Sequence, residues 1–430
     1  MVNFAKVKIW GEFVGIILWD NKKQSATFEF DRGFVSKGWD LAPIKMPITS
    51  RQRIFSFPEL TKISTFSGLP GLLADALPDK YGNALIDRWL AQQGRPAGSM
   101  NPVEKLCFIG SRGMGALEFE PSEFPTTKNT YKIEIDNLVN IAQKMLNQRE
   151  GFKANIAKNE EKAMKDILKI GTSAGGARPK AIIAYNKKTG EIKSGQTRAP
   201  KGFEHYLIKL DGVNDTQFGE TEGYGRIEMA YYKMALACKI NMMPCLLLEE
   251  NGRAHFLTKR FVREGSSKKY HIQTWCAMEH FDFNNVGMYG YEQLFQTMRV
   301  LRLSYPQAEQ LFRRMTFNVI ARNCDDHTKN FAFRLKQGEK WELTPAYDIC
   351  HAYRPKSLWV SQQSMSVNSK RRNIKKQDLL TVAKAMNIKK AESIINHIDT
   401  TVGNWNTFAE EQKVRTDLRD TINTTLITYK

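Results

Sequence analysis

The sequence predicts an α+β chain, β-rich in its first part and mostly helical in its second, and three observations carry that reading. Residues 7 to 30 alternate apolar and polar as strands do, broken by "DNKKQ". From residue 271 onward the apolar spacing turns helical, as in "YEQLFQTMRVL" and "YPQAEQLFRRMTFNVIARN". Between them, short β-branched runs flank one amphipathic helix, "RIEMAYYKMALACKIN" at 226–241.

Taken in order, "VKIWGEFVGIILW" and "SATFEF" give an antiparallel meander. Residues 66–92 read as a turn feeding a helix with Leu85, Ile86, Trp89 and Leu90 on one face. "RGMGALEFEPSE" (112–123) gives a strand and a loop, and "IDNLVNIAQKMLNQRE" a helix ending near Gly151. The polar, Lys/Glu/Ala-rich stretch 152–166 marks a domain seam, so the expected units are 1–150, 151–262 and 263–430. "AIIAY" and "HYLIKLDG" are strands, and Asn251-Gly252 turns a hairpin within "CLLLEENGRAHFLTKRF". "DLLTVAKAM" and "AESIINHI" add helices near the end, and there is no internal repeat or low-complexity tract.

A length of 430 residues with 42% hydrophobic and 25% charged residues describes an enzyme-sized globular protein, which excludes a disordered or fibrous chain. The start of the chain has no secretory signal pattern and no run is long enough for a membrane span, so a cytoplasmic protein without membrane contact is expected. Six scattered cysteines in apolar surroundings, without a C-x-x-C pair, predict reduced, buried thiols and no sulfur-bound metal. The net charge of +19 attracts polyanions, whether nucleic acid, nucleotide phosphates or an acidic surface, or serves solubility alone.

"RNCDDHTKNFAFRL" (322–335) concentrates ionisable groups between an amphipathic helix and a strand, a rigid mount for catalytic side chains. Asp348 follows in "LTPAYDIC". Phosphoryl transfer needs a carboxylate to orient the acceptor hydroxyl, and an Asn and an Asp to hold magnesium. Asp325, Asn330 and Asp348 suit those roles in the order D-x-x-x-x-N then D. A turn with helix-capping aspartates is the competing reading, with Asp326 a solvated spacer or cap. Lys209 lies inside a strand, where an ammonium needs a partner such as a phosphate or the carboxylate of Glu228; a surface Glu228 is the plainer alternative. "GTSAGGARPK" offers Gly175 and Gly176 for close backbone approach, with Arg178 and Lys180 for anion contact, yet lacks both Walker and ordinary kinase spacing. Neither the histidines nor Ser173 have the neighbours a zinc site or a hydrolase requires.

Taken together, "GLPGLLADALPDKYGNALIDRWL", "GSRGMGALEFEP", "GTSAGGARPKA", "HYLIKLDG", "YGRIEMAYYKMA", "HFLTKRF", "FNVIARNCDDHTKNFAF" and "PAYD" resemble the HipA family of bacterial toxin kinases, over nearly the whole chain. The resemblance implies a two-lobed protein-kinase-like fold with an extra amino-terminal subdomain, and an ATP- and Mg2+-dependent serine/threonine protein kinase. It makes Asp325 the catalytic base and Asn330 and Asp348 the metal ligands. Lys209 would hold ATP phosphates beneath the loop of Gly175, Gly176, Ala177, Arg178, Pro179 and Lys180. Lys259, Arg260 and Phe261 would form the hinge that receives adenine through the backbone, with His327, Lys329 and Tyr347 beside the nucleotide. Ser173 matches a serine the family autophosphorylates to switch itself off. The implied partners are a HipB-like helix-turn-helix antitoxin, operator DNA through that complex, and a protein substrate with a Ser or Thr acceptor. Lys370, Arg371 and Arg372, in the basic run 369–376, are candidates for DNA backbone contact, with a solvated turn as the alternative. A catalytically silent DNA-bound corepressor and a kinase for a small hydroxylated metabolite are the competing functions.

Overall fold

A computed structural model describes residues 2–48, 51–122, 130–147, 168, 170–171, 178–195, 198–213 and 223–429. Five strands form the first sheet: β1 (Phe4–Ile9), β2 (Glu12–Asp20), β3 (Ser25–Phe30), β4 (Ile54–Ser56) and β5 (Leu117–Glu120), in the order β4-β3-β2-β1-β5. The expected meander is β1 to β3, antiparallel throughout. Its second turn is closed by Asp20, whose carboxylate accepts the N–H groups of Lys22 and Lys23 at 2.8 and 3.1 Å.

The second sheet comprises β6 (Lys180–Tyr185), β7 (Ile192–Ser194), β8 (Glu204–Lys209), β9 (Cys245–Glu250) and β10 (Arg253–Lys259), ordered β7-β6-β8-β10-β9. The β9–β10 hairpin turns at Asn251 and Gly252, with φ of 45° and 77°, the left-handed pair that a tight hairpin of this twist requires. The helix Tyr224–Ala237 packs on this sheet. Gly225 makes the approach possible, because a Cβ there would run into the carbonyl oxygen of Ala254 on β10.

Beyond residue 262 the chain is mostly helical, with Tyr291–Val300, Tyr305–Ile320, Lys376–Ala385 and Ala391–Gly403 as its longer helices. A small sheet of β11 (His271–Thr274), β12 (Ala332–Leu335) and β13 (Glu342–Leu343) lies among them. The helical core centres on the fully buried Trp275 and Trp405, and Tyr231 ties it to the 224–237 helix by donating to the carbonyl of Ala321 at 2.7 Å. A second core lies against the first sheet and takes in Cys276 and Leu335 from the later chain. A third joins Leu85, Ile86 and Phe108 to Ile183 and Ile208 of the second sheet. Within 66–92 the chain forms a short helix, Gly71–Ala74, before the expected helix, Lys80–Gln92, which carries Leu85, Ile86, Trp89 and Leu90. Pro78 separates them, since a proline ring cannot continue a helix from the preceding turn.

No helix among the described residues is long and apolar enough to cross a membrane. All six cysteines are free thiols, but Cys245 and Cys350 are only partly buried, correcting the expectation that every thiol lies in a core.

Candidate active site

The cleft lies between the second sheet and the helical part, and Lys209 stands at its centre. It is the last residue of β8, opposite Lys180 on β6 and Phe256 on β10. Its ammonium makes a short ion pair with Glu228 and a second, of 2.6 Å, with Asp348. Burial works against its charge, but the carboxylates of Asp348 and Glu228 more than offset this and its pKa is raised. Asp348 responds in kind, held well below the usual carboxylate range by Lys209. Glu228 is 5% exposed, and desolvation raises its pKa despite Lys209. It faces the sheet, so the surface alternative for this residue does not hold.

Asp348 has φ of 56°, a left-handed backbone that aspartate tolerates better than most residues. Its neighbours fix that geometry. The Tyr347 hydroxyl donates to the carbonyl of Lys329 at 2.7 Å, and Ala346 N–H donates to the carbonyl of Asn241 at 2.8 Å.

The 323–330 loop supplies the other face of the cleft. The Asn330 amide donates to the backbone carbonyl of Asp325 at 2.7 Å, closing the loop on itself and leaving its side-chain oxygen as a further acceptor. His327 Nε2 lies 3.8 Å from a carboxylate oxygen of Asp325. Partial burial, together with Asp348, raises the pKa of Asp325, while His327, Arg178 and Lys209 pull it down. Asp325, Asp348, Lys209 and Arg178 therefore share one electrostatic neighbourhood.

Asp326 is not the solvated spacer or cap the sequence suggested. It is fully buried and accepts from the Tyr291 hydroxyl and the Ser364 N–H, both at 2.7 Å. Asn318 donates to that same Tyr291 oxygen at 3.0 Å and accepts from Asn323 at 3.0 Å. Burial pushes the Asp326 carboxyl up to about 7. These bonds fasten the loop beneath Asp325 to the 291–300 helix and to the 364–365 segment. The apolar flanks of "CDD" were a signal for this burial.

Of the glycine-rich loop, Ser173, Gly175, Gly176 and Ala177 lie outside the described residues. Arg178 stacks its guanidinium 4.0 Å from the ring centroid of Tyr224. Pro179 is buried and its carbonyl accepts from Leu210 N–H at 3.0 Å. Lys180 is 3% exposed and lies 3.2 Å from Asp79, a partner from the amino-terminal region that sequence reasoning missed. Asp79 reads in sequence as an ordinary cap before a helix, and nothing local marks its reach.

In the segment expected to form the hinge, Lys259 N–H donates to the carbonyl of Pro244 at 3.0 Å, and its ammonium is bound to Glu204. The Phe261 ring stacks on Tyr347, with centroids 5.6 Å apart, and the Phe261 carbonyl accepts from Arg334 at 2.7 Å. The Arg260 side chain does not enter the cleft: it is buried against Met114, donating to that carbonyl at 3.0 Å. The Lys329 ammonium sits 4.8 Å over the Phe283 ring, and the same ring packs against His327.

The basic run is less available than expected. Arg371 folds inward and donates to the carbonyl of Gln363 at 2.7 Å, and Lys370 pairs with Asp378 at 2.8 Å. Arg372 remains exposed. Arg371 thus braces the 363–371 turn.

Among the described residues no cluster of three His, Cys, Asp or Glu side chains forms a ready-made metal cage. Asn330 and Asp348, both from the helical part, offer hard oxygen donors of the kind that would suit magnesium. The ammonium of Lys209 beside them suits a phosphate chain.

Residues 172–405 match the HipA-like C-terminal domain and residues 5–120 the HipA N-terminal domain. No curated protein sequence matches the chain. Among solved structures, HipA from the Shewanella oneidensis MR-1 toxin–antitoxin complex of HipA, HipB and operator DNA superposes with a TM-score of 0.64 at 15% identity, over 98% of this chain and 100% of that one. A Helicobacter pylori proinflammatory kinase, CtkA, overlaps with a TM-score of 0.33 at 14% identity, over 58% of this chain and 92% of that one, too loosely to bear on the fold. The first superposition gives the architecture: an α+β, two-lobed, protein-kinase-like fold with a β-rich amino-terminal region.

Proposed function

Since the chain belongs to the HipA family, we propose that it is an ATP- and magnesium-dependent serine/threonine protein kinase, the toxin of a toxin–antitoxin pair. The observation that carries this reading is that Lys209 of the second sheet pairs with Glu228 and with Asp348 of the helical part, within electrostatic reach of Asp325 on the loop that Asn330 closes. A lysine–glutamate pair from a strand and the next helix, opposite a carboxylate that can move to a metal, is what positions phosphates in this kind of chemistry. Bound MgATP supplies the phosphoryl group and the charge neutralisation for its transfer.

Asp325 orients the acceptor hydroxyl and takes its proton, which the elevated pKa of its carboxyl favours. Lys209, with Lys180 and Arg178 nearby, holds the phosphates, and Asn330 and Asp348 hold the metal. Phe261 and Lys259 meet adenine through their backbone, with Tyr347 stacked behind Phe261. Arg260 takes no part through its side chain. Ser173 is proposed as the autophosphorylated residue, where added charge would displace the glycine-rich loop.

The partners we propose are a helix-turn-helix antitoxin, operator DNA held through it, and a protein substrate with a Ser or Thr acceptor. They rest on the family and on the composition of the Shewanella complex. We also propose the division into units 1–150, 151–262 and 263–430, with the hinge closing the second.

The test is incubation with labelled ATP and magnesium, comparing wild type with Asp325→Asn. Label on Ser173 is expected in the wild type, with a loss of about 10²-fold or more in the variant. Equal labelling of the two proteins refutes Asp325 as the base.

A further inference from the structure

Lys180 and Lys209 stand directly opposite each other on neighbouring antiparallel strands, so their ammonium groups emerge on one face of the sheet. Like charges so placed repel unless carboxylates intervene. Lys209 has Glu228 and Asp348; beside Lys180, at 3.2 Å, lies Asp79. Asp79 comes from the segment matching the HipA N-terminal domain, Lys180 from the segment matching the C-terminal domain. The pair is 10% and 3% exposed, so water does little to screen it. Asp79 is itself fixed, because its second oxygen accepts the Gly82 N–H at 2.6 Å as the cap of the Lys80–Gln92 helix. Burial lowers the pKa of Lys180, Asp79 and Asp348 raise it, and Lys209 lowers it further; Lys329 is also within electrostatic reach of Asp79.

Resting on the kinase reading above, we propose that Asp79 is a positioning residue for the phosphate-binding face: it keeps Lys180 charged and oriented beside Lys209. Docking of the amino-terminal module thereby completes the site for a nucleoside triphosphate. A module that is present but lacks this one charge leaves the adenine hinge intact and weakens the grip on the phosphates.

Asp79→Asn is the informative variant, since asparagine retains an oxygen for the Gly82 N–H while losing the charge. Binding of a non-hydrolysable ATP analogue and of adenosine is measured by calorimetry on the full chain, in wild type, Asp79→Asn, Asp79→Glu, Lys180→Met and the double variant Asp79→Asn/Lys180→Met. The expected result is a loss of about tenfold or more in analogue affinity for Asp79→Asn, unchanged adenosine affinity, partial rescue in Asp79→Glu, and no further loss in the double variant. Competitive amine labelling read by mass spectrometry should show Lys180 becoming reactive at a lower pH in Asp79→Asn than in wild type, because a buried ammonium without its carboxylate deprotonates earlier. Analogue affinity unchanged in Asp79→Asn, or additive losses in the double variant, overturns the positioning role while leaving the kinase reading standing. A wild type that binds neither ligand overturns the kinase reading, and the positioning role with it.

Discussion

The carboxylate of Asp348 lies 2.6 Å from the ammonium of Lys209, so one ion pair joins the β-rich lobe to the helical one across 139 residues of chain. With Glu228 on the same ammonium, this lysine is the counter-charge for two acids at once. Lys209→Met should therefore do more than abolish phosphate contact. Removing one partner leaves the buried Glu228 uncompensated, which costs roughly 3–5 kcal/mol where the charge has no other outlet. We expect a lowered Tm together with loss of phosphoryl transfer. The double variant Lys209→Met/Glu228→Gln should recover much of the Tm and none of the activity. A thermal melt beside an ATP turnover assay checks both, and an unchanged Tm in the single variant would refute the charge balance described.

Gly225 tests how Glu228 is placed. The two residues are three apart on one helix and so share a face. Gly225→Ala puts a methyl group into the Ala254 carbonyl and should push the helix off β10 at a cost of about 1–3 kcal/mol. The Lys209–Glu228 pair is then stretched, and activity should fall more than stability alone explains. A crystal structure of the variant, or a Tm and turnover both equal to wild type, decides the matter.

Asp326 makes stability depend on pH. Its folded-state pKa of about 7 lies above the ordinary aspartate value of 3.8, so between these two the native protein keeps a proton that the unfolded chain has lost. Its contribution is therefore fully present below pH 3.8 and declines as pH rises through about 7. Asp326→Asn carries no such titration. Measured from pH 5 to 8, the wild-type Tm should fall relative to that of the variant, and a gap independent of pH would sink the assignment.

Much of this site could be read from the chain because its chemistry is local. Asp325 and Asn330 sit five residues apart on a loop flanked by apolar runs, and Lys209 is an ammonium among the apolar residues of "YLIKLDG". Each is a conflict between residue type and surroundings, and such conflicts mark sites. Asp79 and Arg371 had no such conflict to show. A cap before a helix and an arginine in a basic run look ordinary until tertiary packing brings Lys180 to the one and Gln363 to the other. Asp326 lay between: its burial was foreshadowed by Cys324, but its partners Tyr291 and Ser364 lie 35 and 38 residues away.

Asn330 has one duty set by its geometry and a second one proposed above, and two variants separate them. Its amide nitrogen holds the Asp325 carbonyl at 2.7 Å, which shapes the loop, and its oxygen is the proposed metal ligand. Asn330→Asp keeps a hard oxygen for magnesium but loses the donor and sets a carboxylate against a carbonyl. The loop should loosen and displace Asp325, lowering kcat by about 10²-fold, a loss that a misplacement near 1 Å can produce. Its magnesium requirement should stay close to wild type, because a carboxylate is at least as good a ligand as an amide oxygen. Asn330→Ala loses both functions, so its kcat should fall comparably and the magnesium concentration for half-maximal activity should rise as well. Titrating magnesium at saturating ATP in the three proteins makes the comparison. If Asn330→Asp and Asn330→Ala need the same magnesium, the side-chain oxygen of Asn330 is not a ligand and its role is confined to shaping the loop.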